Sequence, residues 1–223
     1  MCFKNQLQGK RKTGDVIVSD ITLAKNLTDK QYADFIEEAT QEASKKGMTL
    51  EKYLQEIAEK IKLRGAALAK YLSKFEKKFH KHFDGELVAV KHNDGSIVYY
   101  KMAGAHNHEK IGEVFEIIAI RKPPGVKFKN LPDDIPFKAN VEMIVDGVKY
   151  TKKATSTFFP KNWDINRVKE EIALVYDDLV KSGKDFSKFP YKHKILNSEE
   201  TFEILIEFDE FGNLTNAYPW IKN

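Results

Sequence analysis

The sequence predicts an α+β protein: an N-terminal helical module, then a mainly antiparallel sheet with one amphipathic helix packed on it. Three observations carry this. Apolar residues recur every three to four positions between Thr28 and Phe79, the period changes to two after His82, and a single strong helical stripe interrupts the strands.

Taken in order, Thr28 can cap a helix carrying Tyr32, Phe35, Ile36, Ala39 and Ala43, and Lys45-Lys46-Gly47 supplies basic last-turn residues and a stop. Thr49 caps a second helix with the stripe Leu50, Tyr53, Leu54, Ile57 and Ile61. Gly65 is expected to kink that helix or divide it from a third piece bearing Leu68, Leu72, Phe75 and Phe79. Leu87–Val90 and Ile97–Tyr100 then flank His92-Asn93-Asp94-Gly95, and Asp-Gly between apolar runs predicts a hairpin. Further strands are expected at 113–120, 139–145 and 148–151, the last two joined by Asp146-Gly147. Residues 121–136 hold four of the seven prolines and are expected to be loop. Ile165, Val168, Ile172, Val175 and Leu179 predict a helix capped by Asn162 or Asp164 and ended by Ser182-Gly183. Strands at 201–208 and 214–220, turning at Gly212, close the chain.

The composition, 42% hydrophobic and 31% charged with few Gly and Pro, is that of a globular chain able to build a core. No apolar run approaches the roughly 18 to 20 residues of a membrane span, and Met1–Lys12 is polar and basic rather than a signal peptide. The expectation is cytoplasmic residence, or export by a dedicated secretion system to act in a target cell's cytoplasm, with no membrane partner. Cys2 is the single cysteine, which argues against thiol chemistry and cysteine metal sites. Residues 1–82 carry 17 Lys/Arg against 11 Asp/Glu, while residues 83–223 are near balance with 20 against 22. That excess suits a polyanion partner and equally suits ordinary solubility.

Six histidines occur, and two HxH pairs, His80-Lys81-His82 and His106-Asn107-His108, suggest either a metal or acid–base chemistry. The further ligands of a zinc motif are not spaced around them, so no metal is expected. Cleaving RNA without a metal takes a base for the 2′-hydroxyl, an acid for the leaving 5′ oxygen, and a cation on the phosphoryl oxygens. Lys152 and Lys153, beside Thr155-Ser156-Thr157, can provide the cation, although a Lys-Lys before a strand is usually a solvated edge.

In order, Asp84-Gly85-Glu86-Leu87, Gly104-Ala105-His106-Asn107, Lys152 followed by Ser156-Thr157-Phe158-Phe159-Pro160-Lys161-Asn162-Trp163, and Ala217-Tyr218-Pro219 resemble the EndoU endoribonuclease family, especially bacterial toxin domains of interbacterial competition. The resemblance covers about residues 80–223 and implies a division into a helical accessory segment, 1–80, and an EndoU-like nuclease domain of two small antiparallel sheets, 81–223. It implies His106 as one catalytic histidine, Lys152 (with Lys153 as the register alternative) at the scissile phosphate, and Tyr218 orienting substrate. Asn216 stands where the family usually has Ser or Thr, with Thr215 adjacent, and both are expected to bind substrate. Strict register puts Lys81 at the other catalytic histidine; His82 is favoured, then His80, then His92.

The implied activity is a metal-independent endoribonuclease that leaves 2′,3′-cyclic phosphate ends, acting on tRNA or on uridine-containing single-stranded RNA. Manganese, often needed by eukaryotic relatives, is not expected as a cofactor. RNA is the implied partner, and for a toxin a cognate immunity protein is a further open one. Two other readings stay open: a catalytically inactive EndoU-like RNA-binding module, and an interaction protein that uses the helices at 28–80.

Overall fold

The computed structural model describes residues 28–75, 77–121, 133–183, 191–209 and 211–221. Most of the proline-rich segment expected as loop lies outside them. The chain divides into two compact units, Met1–Ala66 and Ala67–Asn223.

The first unit contains α1 (Asp29–Lys45) and most of α2 (Leu50–Tyr71). Thr28 forms a capping box: its hydroxyl accepts from the Gln31 N–H at 3.3 Å, and the Gln31 side-chain oxygen accepts from the Thr28 N–H at 3.0 Å. Ala39, Ala43 and Leu54 are its buried apolar side chains. The division expected as one alternative at Gly65 does not occur, because α2 runs through it unbroken. Glycine inside a helix costs about 1 kcal/mol but removes no hydrogen bond, so neighbouring turns carry it. The break comes instead at a 3-10 turn, Leu72–Lys74, after which α3 (Lys77–Asp84) brings in Phe79 and Phe83, both buried.

The second unit has two cores. One joins the end of α2, α3 and α4 (Ile165–Lys181) to the three-stranded antiparallel sheet β7 (Tyr191–Leu196), β8 (Glu203–Phe208) and β9 (Leu214–Trp220). Ile172, Leu179, Ile204 and Ile206 are fully buried there. Asp164 is the α4 cap, accepting from the Arg167 N–H at 2.7 Å. The other core lies on the sheet built around β4 (Phe137–Val145), whose Phe137, Ala139, Val141 and Met143 alternate inward. β3 (Glu116–Arg121) pairs with one side of β4. On its other side β4 pairs with β5 (Val148–Thr151) and then with the short β6 (Ser156–Phe158). The hairpin β1 (Glu86–Lys91) and β2 (Ile97–Ala103) forms a third small sheet beside β5.

The α+β class, with helices first and small antiparallel sheets after, is as the sequence predicts. β3 begins at Glu116 rather than Glu113, because Lys110 O accepts from the Glu113 and Val114 N–H groups and holds that stretch in a turn. β6 and β7 were not expected from sequence. Consecutive Phe158 and Phe159 point into the two different cores, which fixes the segment around them where the cores meet.

Candidate active site

The site is built on the C-terminus of α3. The last carbonyls of a helix have no partner within it, and here the chain supplies them from Gly104-Ala105-His106-Asn107. His82 O accepts from the Gly85 and Ala105 N–H groups at 3.2 and 3.0 Å, and Phe83 O accepts from those of His106 and Asn107 at 2.8 and 3.0 Å. Asn107 also donates its side-chain amide to Asp84 Oδ1 at 2.7 Å. At Gly104, φ is +69° and an added Cβ would lie 1.6 Å from His82 O, so only glycine lets the loop come this close. The clamp brings the His82 and His106 rings to 6.1 Å between centroids.

His106 is 5% exposed and stacks on Tyr218, with centroids 5.0 Å apart and planes within 12°. Its Nδ1 lies 2.8 Å from Thr157 O. A carbonyl only accepts, so Nδ1 carries the proton and Nε2 is the acceptor of the neutral ring. Burial, and after it the Lys152 charge, hold the His106 pKa well below the ordinary histidine value, against the Thr157 bond that favours protonation. The ring is therefore neutral near pH 7. His82 places Nδ1 3.1 Å from Glu86 Oε1, so the carboxylate orients the imidazole and leaves Nε2 for a ligand.

Lys152 follows β5, where the chain jogs before resuming as β6, and its N–H still donates to Val141 O at 3.0 Å. The jog turns its side chain inward. Nζ donates to Gly104 O and, at 2.9 Å, to Ser156 Oγ, which in turn donates to Gly104 O at 3.2 Å. Burial lowers the Lys152 pKa to about 8. Two of three ammonium hydrogens are thus used within the protein, and one remains for a ligand.

Tyr218 and Asn216 are two apart on β9 and pair with Leu205 and Glu207 of β8, so they share the sheet face opposite to Ile204, Ile206 and Ala217. Asn216 is 8% exposed, and its Oδ1 has no hydrogen-bond partner among the described residues. An unmet buried acceptor costs about 1–3 kcal/mol, which a donor on a ligand would recover. Thr215 takes the extra position of the β-bulge at Glu207/Phe208, and among the described residues no hydrogen bond or ring contact ties it to the cluster.

No protein-family model, curated protein or solved structure matches this chain.

Of the expected residues, His82, His106, Lys152 and Tyr218 therefore converge, with Asn216 on the same face as Tyr218. His80 lies about 200° around α3 from His82, packs edge-on against Phe79 at 5.6 Å, and is nearest in charge to Lys169 and Asp84. His92 sits exposed at the hairpin turn, and Lys153 places Nζ 5.9 Å over the Tyr99 ring. His108 begins a separate 3-10 turn. Among the described residues no three His, Cys, Asp or Glu side chains are grouped to hold a metal ion. No described helix is long and apolar enough to cross a membrane.

Sequence reasoning gave no role to three groups. Glu86 could have been found, since it stands four residues after His82. Ser156 was noted only as one of several hydroxyls near Lys152, and Thr157 acts through its backbone carbonyl, which no side-chain pattern reveals. Chemically the cluster brings together a neutral imidazole acceptor, an imidazole backed by a carboxylate, an ammonium and the ring of Tyr218.

Proposed function

We propose that this chain is a metal-independent endoribonuclease of the EndoU type that cleaves RNA by attack of the 2′-hydroxyl on the adjacent phosphorus. The observation that carries the reading is the convergence of His82, His106 and Lys152 beside Tyr218: imidazole centroids 6.1 Å apart, and a lysine close enough for its charge to lower the His106 pKa. Four segments of the chain contribute to it: α3, the loop after β2, the residue after β5, and β9.

In this mechanism His106 Nε2 takes the 2′-hydroxyl proton as O2′ bonds to phosphorus. The bond from phosphorus to O5′ breaks, and O5′ takes a proton from His82, whose Nδ1 hydrogen bond to Glu86 directs Nε2 to the leaving group. Lys152 neutralises charge on the non-bridging oxygens, where a compact ammonium in a water-poor site acts most strongly. Products are a 2′,3′-cyclic phosphate and a free 5′-hydroxyl, and proton exchange with water restores both histidines. Tyr218 holds His106 in place and offers its ring and hydroxyl to substrate. The unpaired Asn216 Oδ1 suits a donor on a base edge, which single-stranded RNA presents. A toxin role, with tRNA or uridine-containing RNA as target, extends the same reading and rests on the resemblance alone.

The test is incubation of the purified protein with total RNA in EDTA. Cleavage to cyclic-phosphate ends is expected, with His106→Ala and Lys152→Ala each slower by about 10²-fold or more, as for loss of a general base or a transition-state cation. Intact RNA under all conditions, added manganese included, would overturn the reading.

A further inference from the structure

The hairpin β1–β2 carries a surface that the cleavage chemistry does not use. Glu86 pairs with Ala103, Val88 with Lys101 and Val90 with Tyr99. Residues opposite each other in an antiparallel pair project to one side, so Tyr99 and Lys101 lie on the face where Glu86 meets His82. On the other face Leu87 and Met102 pack into the core of the β4 sheet. The first face therefore leads outward from the catalytic cluster. Tyr99 stands four residues beyond Ala103, about 13 Å along the strand, and is 45% exposed. Lys153, the neighbour of Lys152, holds its ammonium 5.9 Å over the Tyr99 ring. Lys101 and Lys153 are both exposed.

We propose that Tyr99, with Lys153 and Lys101, forms a subsite for a nucleotide flanking the cleaved bond. The base stacks on the tyrosine, and the two ammonium groups take neighbouring phosphates. An exposed aromatic ring bracketed by lysines is the chemistry that binds single-stranded RNA without demanding a sequence. Protein interface cores, in contrast, are depleted in lysine. Glu86, the acidic residue on this face, is engaged with His82. The inference rests on the ribonuclease reading for the direction of the strand, but its test does not need cleavage.

The probe is a fluorescein-labelled single-stranded 2′-O-methyl RNA of about a dozen nucleotides, which lacks the attacking hydroxyl and stays intact; binding is read by anisotropy on the full chain. Tyr99→Ala is expected to weaken binding about tenfold, and Tyr99→Phe, which keeps the ring, to restore it. Lys153→Ala is expected to weaken binding and to reduce the salt slope by about 0.7. Equal affinity in wild type and Tyr99→Ala, or an equal loss in Tyr99→Phe, would overturn the subsite, as would wild type that does not bind. Wild type that binds through Tyr99 but cleaves no RNA would instead sink the ribonuclease reading and leave Tyr99 with its lysines as an RNA-stacking surface alone. Thermal unfolding of each variant separates lost contact from lost fold.

Discussion

Replacing Gly104 by alanine tests the clamp between the loop and α3 directly. The new Cβ would lie 1.6 Å from His82 O, 2.6 Å from its carbonyl carbon and 3.1 Å from its Cα, all backbone atoms that cannot rotate away. The loop must therefore retreat. In doing so it gives up the bonds from Ala105 to His82 O and from His106 and Asn107 to Phe83 O, each contributing about 1 kcal/mol. A left-handed φ at alanine adds about 1–2 kcal/mol. The sum is roughly 4 kcal/mol, which for a unit of this size lowers Tm by roughly 8–16 °C. Gly95 is the control: its φ is +87°, but nothing lies within 4 Å of an added Cβ, so Gly95→Ala carries the conformational cost alone. Thermal or urea unfolding of both variants, with RNA cleavage measured well below Tm, gives the comparison. A Gly104→Ala protein as stable as wild type, or no less stable than Gly95→Ala, would refute the steric argument. Full activity in Gly104→Ala would show that the distance between the histidines does not matter.

Two further outcomes concern pH. His106 must be unprotonated to act as base, and its pKa is held well below the ordinary 6.5, so kcat/KM should persist at pH values where a normal histidine would already be charged. The acid His82 and the cation Lys152 must both be protonated, so activity should be lost toward alkaline pH, at the latest as pH rises through about 8, where Lys152 gives up its charge; an acid limb at or above pH 6.5 would contradict the burial argument. Asp177 predicts a stability change at lower pH. Burial opposes its ionisation, but hydrogen bonds from Lys181, Lys70 and Tyr71 outweigh this and bring its pKa from 3.8 to about 2. A depressed carboxylate stabilises the fold above its unfolded pKa and loses that contribution as pH falls through the folded one. About 2 kcal/mol should therefore disappear between about pH 5 and pH 2, and urea midpoints of Asp177→Asn should lack this decline.

Local chemistry made much of the architecture legible. Thr28 and Asp164 cap their helices because a short side-chain oxygen beside a free N–H needs no distant partner, and Asp94-Gly95 and Asp146-Gly147 turn their hairpins for an equally local reason. Elements that depend on distant neighbours were not legible. β6 is three residues long and exists because β4 pairs with it, and β7 is a strand through its pairing with β8. At Gly65 the helix is not divided, since the rest of α2 keeps it continuous.

The candidate site divides in the same way. Sequence by itself determined the residue types and the order of the motifs, because a motif is a property of neighbours along the chain, and the resemblance those motifs carry implied His106, Lys152 and Tyr218 as site residues. Which histidine faces His106 was decided by the tertiary structure. His80 and His82 are two residues apart, a small difference in sequence but about 200° on a helix. Only the docking of α3 through Phe79 and Phe83, and the return of the Gly104 loop onto its last carbonyls, turns His82 toward the cluster. The side-chain burial that lowers the His106 and Lys152 pKa values has the same origin, since desolvation depends on what packs around a group rather than on what precedes it in the chain.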